Sequence, residues 1–309
     1  MQRGLKILSL LLCAVLLVGV SACGAGKKDD GKFTIVCTLF PQYDFVRQLV
    51  GDKAEVTLLL TPGTDSHSYD PSPADMKKIN DCDLFIYTGD TMEAWAANII
   101  GTLGDDVAVL SLPKPEGHSE TDHGHDHSAD PHIWTSPVNA MAIVREICTK
   151  ICEIDSANAD YYKANEETYL KSLEALDAEI RSTVASAEHK KIVMCDRFAM
   201  LYFCEEYGLE YIAALDACTS HTEPSPSVIV KITETVKTEK IPAVFCAELS
   251  NRKVADAVSK QTGARVLVLH SCHNLSSEDF NAGETYLSLM QKNAENLKIA
   301  LGVNNGKNS

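Results

Sequence analysis

Ten histidines and eleven cysteines stand out in this chain of 309 residues. Imidazole and thiolate are the side chains that hold borderline and soft metal ions, and paired thiols can instead form disulfides. His67 lies in Thr61-Pro62-Gly63-Thr64-Asp65-Ser66-His67-Ser68-Tyr69-Asp70-Pro71-Ser72-Pro73. The prolines and glycine of that run restrict the backbone enough to aim one ring in one direction. His132 lies in Asp130-Pro131-His132-Ile133-Trp134, where Pro131 again restrains the chain and the indole can pack beneath the imidazole. Cys195, His270 and His273 follow short apolar runs farther along. A further group, His118, His123, His125 and His127, falls in PKPEGHSETDHGHDHSADP, residues 113–131, whose acidic and small neighbours predict an exposed loop.

The elements that must position these groups read as α/β. From Phe33 onward short apolar runs alternate with helical stretches, the order that builds parallel sheets covered by helices. Strands are expected at 33–40, 54–60, 83–88 and 106–112, and again at 190–195, 209–215, 242–247 and 264–270. The two sets are related. An offset of 159 positions superposes Gly104 on Gly263, Val107 on Val266, Val109 on Val268 and Leu110 on Leu269. Between the sets, residues 157–187 contain neither Gly nor Pro, and Tyr162, Tyr169, Leu173, Leu176 and Ile180 recur near helical spacing. A helix of about 30 residues would be roughly 45 Å long. The expected organisation is an N-terminal lobe over 33–156, a linking helix over 157–187 and a C-terminal lobe over 188–309. Ligands of open parallel sheets bind beyond the carboxyl ends of the strands, which is where His67, His132, Cys195, His270 and His273 fall.

Composition narrows the function. Lys and Arg total 28 against 43 Asp and Glu, a formal charge of −15 that argues against a nucleic-acid partner and suits cations. Arg3 and Lys6 precede an apolar run from Ile7 to Val20, the layout of a secretory signal over residues 1–22. Val20-Ser21-Ala22-Cys23 resembles a lipobox, which implies cleavage before Cys23 and a lipidated N-terminal cysteine that holds the body outside the cytoplasm at a membrane face. Residues 23–32 then form a flexible tether.

The run PGTDSHSYDPSPADM, the DPHIW segment, the long helix and Glu223-Pro224-Ser225-Pro226 resemble the zinc and manganese ABC-transporter substrate-binding lipoproteins over residues 33–302. The resemblance implies two Rossmann-like lobes with parallel sheets joined by one backbone helix, and a metal ion in the interlobe cleft with two ligands from each lobe. It matches His67 and His132 to the two histidines of the N-terminal lobe. The second lobe departs from the family, carrying Cys195-Asp196-Arg197-Phe198 and Ser271-Cys272-His273-Asn274-Leu275. The implied set is His67, His132, Cys195 and His273, with Glu248, His270 and Cys272 as substitutes. Three imidazoles and a thiolate suit Zn²⁺ better than Mn²⁺, which prefers carboxylate oxygens. The resemblance also implies a permease and its ATPase as partners, a monomeric capture protein, and a zinc-collecting role for the 113–131 loop. A stiff linking helix predicts modest lobe tilting.

Two other functions compete with this reading. A secreted zinc hydrolase needs an open coordination position, but the chain has no H-E-x-x-H helix, G-x-S-x-G elbow or glycine-rich phosphate loop. A surface adhesin would leave the histidine constellation unexplained. Without Cys13 and Cys23, the cysteines are Cys37, Cys82, Cys148, Cys152, Cys195, Cys204, Cys218, Cys246 and Cys272. That odd number is compatible with one thiolate on metal plus disulfides, or with none of either. Cys148 and Cys152, one helical turn apart, are assigned no function.

Overall fold

A computed structural model describes residues 31–64, 69–112, 130–217 and 223–303. The first half runs β1 (Phe33–Cys37), α1 (Phe40–Val50), β2 (Ala54–Leu58), α2 (Pro73–Asp81), β3 (Leu84–Tyr87), α3 (Ala94–Ile100) and β4 (Ala108–Ser111). Its four strands are parallel, in the order β2-β1-β3-β4. A short 3-10 turn over Ile133–Thr135 leads into α4 (Pro137–Ile154), followed by α5 (Ala159–Ala185). The second half runs β5 (Lys191–Phe198), α6 (Leu201–Tyr207), β6 (Glu210–Asp216), α7 (Pro226–Thr238), β7 (Ala243–Cys246), α8 (Lys253–Thr262), β8 (Arg265–Val268), α9 (Ser277–Ala282) and α10 (Tyr286–Ala300). Its sheet repeats the first, with parallel strands in the order β6-β5-β7-β8. The offset of 159 read from the sequence carries Leu84–Tyr87 onto Ala243–Cys246, the full span of β7. The expected α/β class, with two parallel sheets and one long helix, is what the chain forms.

Of the boundaries that differ from the sequence reading, two have clear local reasons. The first strand stops at Cys37 because Pro41, at the start of α1, favours a helical φ, and Gln42 Oε1 accepts the Leu39 N–H at 2.8 Å to cap the turn. In the second half β5 runs three residues past the expected end at 195, and its pairing with β6 shifts register between Met194 and Arg197. This extension changes which side chains reach the cleft.

The 27-residue α5 buries one stripe, Tyr162, Tyr169, Leu173, Leu176 and Ile180, against α1, α4 and α10. Through that stripe a single apolar core runs from Ile35 and Phe45 of the first half to Phe245 and Leu297 of the second. Phe45 meets Tyr286 edge-on at 4.8 Å between ring centroids. Buried Asp44, on α1, accepts the Tyr286 N–H at the start of α10 at 2.8 Å. The outer sheet faces hold separate cores, with Val36, Phe85 and Ile79 in one and Val193, Val244 and Val258 in the other. Among the described residues no two cysteines form a disulfide.

One buried polar cluster closes the carboxyl ends of β1 and β3. Glu93 Oε2 accepts the N–H groups of Thr88 and Gly89 at 3.0 and 3.2 Å. Its other oxygen lies 2.5 Å from the Thr38 hydroxyl, which also lies 3.0 Å from Gln42 Oε1. A hydroxyl has one hydrogen, so both contacts close when Thr38 donates to Gln42 and a protonated Glu93 donates to Thr38. Burial pushes the Glu93 carboxyl up to about 7, only partly opposed by the Thr38, Gly89 and Thr88 hydrogen bonds. A carboxyl whose pKa is raised by folding binds more protons in the folded state than in the unfolded one. Its contribution to stability is therefore complete below the unfolded value and declines as pH rises through about 7. Glu93→Gln keeps the same hydrogen bonds without the charge. Equilibrium unfolding should show the variant and wild type equally stable near pH 4, with the variant gaining on the order of 3 kcal/mol relative to wild type by pH 8. A constant difference across that range would contradict the burial argument.

Candidate metal centre

The carboxyl end of the second sheet and the turn after residue 130 enclose a cavity of about 370 Å³ whose wall includes His132, His273, Glu248, Asp196 and Arg197. The two imidazoles reach it from opposite halves of the chain. Their ring centroids are 5.0 Å apart with planes at 81°. Two imidazoles bound at ~2.0–2.1 Å to one tetrahedral ion place their centroids roughly 5 Å apart, so this spacing suits a shared ion.

Local sequence fixes His132. Asp130 Oδ1 accepts the His132 backbone N–H at 2.9 Å and lies 2.8 Å from ring Nδ1. A proton on Nδ1 makes Nε2 the lone-pair nitrogen, and the carboxylate behind the ring raises its basicity, as at metal-bound histidines generally. The Ile133 N–H closes a turn onto the Pro131 carbonyl at 2.9 Å, and Ser136 and Pro137 then start α4. From the second half, the Tyr202 hydroxyl donates to the Asp130 carbonyl at 3.0 Å. The exposed fraction of His132 is only 1%.

Trp134 packs against both rings, edge-on to His132 at 5.5 Å and tilted against His273 at 5.7 Å. Its indole N–H donates to the Ser271 carbonyl at 2.8 Å, and its own carbonyl accepts the Tyr286 hydroxyl at 2.7 Å. His273 follows Cys272, which has a left-handed φ of 58°. The His273 N–H donates to Ser271 Oγ at 3.3 Å. Next along the chain, Asn274 Nδ2 donates to the carbonyls of Thr61 and Thr64 at 3.2 and 2.7 Å, and the Leu275 carbonyl accepts the Gly63 N–H at 2.8 Å. Gly63 sits at φ +85°, a conformation glycine adopts without a side-chain penalty. The segment that leads toward His67 is thus tied to the segment that carries His273. His67 itself lies outside the described residues, as do His118, His123, His125 and His127 of the loop, and Cys23.

Cys195 does not face the cavity. Side chains alternate along a strand, and because β5 continues to Phe198, residue 195 is an interior position rather than a strand end. Its thiol packs in the outer apolar core with Val193, Val244 and Cys246, and burial pushes it up to about 12. Met194, Asp196 and Arg197 line the cavity instead. Cys272 is also corrected to a core residue. It is fully buried in the central core, and burial holds its thiol well above the ordinary value. His270 stands behind the wall. Its Nδ1 accepts the Cys272 N–H at 2.9 Å, and Asn293 clasps its backbone N–H and carbonyl at 2.8 and 2.7 Å. Of the three substitutes only Glu248 reaches the cavity. Ser271 engages both its oxygens, with the N–H at 3.1 Å from Oε2 and the hydroxyl donating to Oε1. Among the described residues no three His, Cys, Asp or Glu side chains already stand together as a metal-holding group.

Sequence reasoning anticipated the packing of Trp134 on His132 but missed its bond to Ser271, the placement of Asp196 and Arg197 on the wall, and the carboxylate behind His132. Only the last had a signal, an acidic residue two positions before a proline-restrained histidine.

A family model described as "Zinc-uptake complex component A periplasmic" matches residues 35–300. The zinc-binding lipoprotein AdcA of Streptococcus pneumoniae is 35% identical over 312 residues, covering 95% of this chain and 61% of that protein. The high-affinity zinc uptake system protein ZnuA of Bacillus subtilis is 33% identical over 314 residues, covering 95% of this chain and 97% of that protein. The chain therefore spans about three fifths of one relative and nearly all of the other. Among solved structures, the Zn(II)-bound ZnuA-like domain of Streptococcus pneumoniae AdcA superposes with a TM-score of 0.75 at 32% identity, covering 88% of this chain and 99% of that one. The laminin-binding protein Lmb of Streptococcus agalactiae, described as bifunctional with adhesin and metal-transporting activity, gives a TM-score of 0.75 at 28% identity, covering 87% of this chain and 99% of that one.

The geometry separates two substitutions by their effect on zinc affinity, measured by competition with a chromogenic chelator. Asp130→Asn removes the carboxylate behind His132 and should weaken binding by about 10- to 100-fold. Cys195→Ala should leave affinity unchanged, and a large loss would return the thiol to the site.

Proposed function

The chain belongs to the zinc-uptake complex component A family, and on that premise we propose that it is an extracytoplasmic, high-affinity zinc-capture protein that delivers the ion to a membrane permease driven by an ATPase. The observation that carries this reading is the pair of imidazoles, His132 and His273, 5.0 Å apart on the wall of one cavity and drawn from different halves of the chain. His67, which follows in sequence the Thr61–Thr64 turn held by Asn274 and Leu275, is taken as the third imidazole from its match to the family's motif. Zinc, borderline in softness and content with four ligands, matches such a set better than manganese, which favours more oxygens and higher coordination. The names of the zinc-binding relatives support the same metal.

Residues 1–22 are a secretory signal and Cys23 carries lipid, so that the tether 23–32 holds the body at the outer face of the cell membrane. Among the described residues no helix is long and apolar enough to cross a membrane. The protein works as a monomer and binds no nucleic acid. It catalyses no reaction, because a site filled by protein ligands keeps no position for an activated water. The loop 113–131 collects zinc near the cleft without forming the tight site. Zinc is the cargo, and its release depends on ligands that are deprotonated when bound, so affinity falls as pH drops and protons compete for imidazole nitrogen.

Calorimetric titration of the mature chain should give one tight zinc site, with manganese binding at least about 100-fold more weakly, a difference of roughly 2.7 kcal/mol. His132→Ala should remove that site, and deletion of residues 116–127 should retain it. Loss of all zinc binding on deleting the loop would relocate the primary site there.

A further inference from the structure

Among the described residues, with Cys195 assigned to the core, the second half brings the imidazole of His273 to the cavity, and a second donor from that half is needed if each half is to supply two. We propose that Glu248, in the segment after β7, is that donor: a carboxylate ligand that Ser271 holds in place until the ion draws one of its oxygens away. The proposal rests on the zinc-capture reading and deepens it by completing the ligand set.

Three observations lead to it. Glu248 shares the cavity wall with His132 and His273, whereas Cys195, Cys272 and His270 do not. The other carboxylate on that wall, Asp196, accepts the Arg197 N–H at 2.8 Å, a bond within its own strand rather than to the segment that carries His273. Glu248 is held by Ser271 in a way that joins it to both imidazoles, with His270 Nδ1 4.0 Å behind its Oε1. The Ser271 N–H and hydroxyl hold its two oxygens, Ser271 Oγ accepts the His273 N–H, and the Ser271 carbonyl accepts the indole of the tryptophan packed against both rings. One residue thus sets the carboxylate, one imidazole and the tryptophan against the other.

The exchange is chemically balanced. A hydroxyl-to-carboxylate hydrogen bond at Oε1 is replaced by a metal–oxygen bond of about 2.0–2.2 Å. Oε2 keeps the Ser271 N–H, the outer-shell bond that orients a ligating carboxylate. The ion gains one negative charge among neutral imidazoles, and the serine hydroxyl is released beside the His273 N–H. This carboxylate movement would add a third donor to the two imidazoles on the cavity wall.

The test uses the mature chain and zinc alone, in competition with a chromogenic chelator, together with the visible spectrum of the cobalt-substituted protein. Glu248→Gln and Glu248→Asp should both weaken zinc by more than about 100-fold, beyond the usual outer-shell range, while apo thermal stability stays close to wild type. Cobalt bound to either variant should keep a four-coordinate spectrum but with its visible bands shifted from those of wild type, as water replaces the carboxylate. Ser271→Ala, which frees the carboxylate but removes the acceptor of the His273 N–H, should weaken zinc by less than either Glu248 variant. Affinity within threefold of wild type in both Glu248 variants would overturn the proposal. So would retention by Glu248→Asp with loss in Glu248→Gln, since charge at a distance would then suffice. A loss confined to Asp196→Asn would also overturn it, by passing the role to that carboxylate. In each of these cases, loss of binding in His132→Ala would leave the zinc reading intact. Failure of the wild type to bind zinc would instead overturn that reading.

Discussion

The cleft depends on one buried hydrogen bond between residues 137 positions apart, from the indole of Trp134 to the carbonyl of Ser271. A buried indole N–H needs an acceptor, and a buried carbonyl needs a donor; leaving either without one costs about 1–3 kcal/mol. This bond fixes the position of the tryptophan ring, which packs edge-on against His132 and tilted against His273. The same serine orients Glu248 through its N–H and hydroxyl. Disturbing the Trp134–Ser271 contact therefore moves donors from both halves together.

The surrounding framework is built to keep that contact still. One apolar core passes from the first sheet through α5 to the second, so the halves are not separate bodies on a flexible strap. Asp44 bonded to Tyr286, and Tyr286 bonded to Trp134, continue the brace from α1 to the base of the cleft. A close-packed interior resists gradual deformation. Ion capture then falls to side chains and short segments at the strand ends, where the Thr61–Thr64 turn is held by Asn274 and Leu275.

Much of this was legible in the sequence. The strand alternation, the offset of 159 and the Gly-free, Pro-free stretch before β5 are local patterns, and they produced the two sheets and the long helix. His132 was legible because Pro131 and Trp134 flank it. Cys195 was misplaced because an apolar run does not mark where a strand ends, and an error of a few residues, or of one face, turns a ligand into a core thiol. The bond from Trp134 to Ser271 and its contact with His273 were hidden because they join distant segments that no periodicity encodes. Glu248 was visible as a nearby acid, but only the geometry of Ser271 distinguishes it from Asp196.

The central claim is that donors from both halves converge on one zinc ion beside Trp134. Crystals of the mature chain grown with zinc, with diffraction recorded on both sides of the zinc absorption edge, test it directly. The account predicts one dominant anomalous peak in the cleft, about 2.0–2.1 Å from an imidazole nitrogen of His132 and from one of His273. Strong peaks confined to residues 113–131, or a cleft without zinc between those two rings, would contradict it.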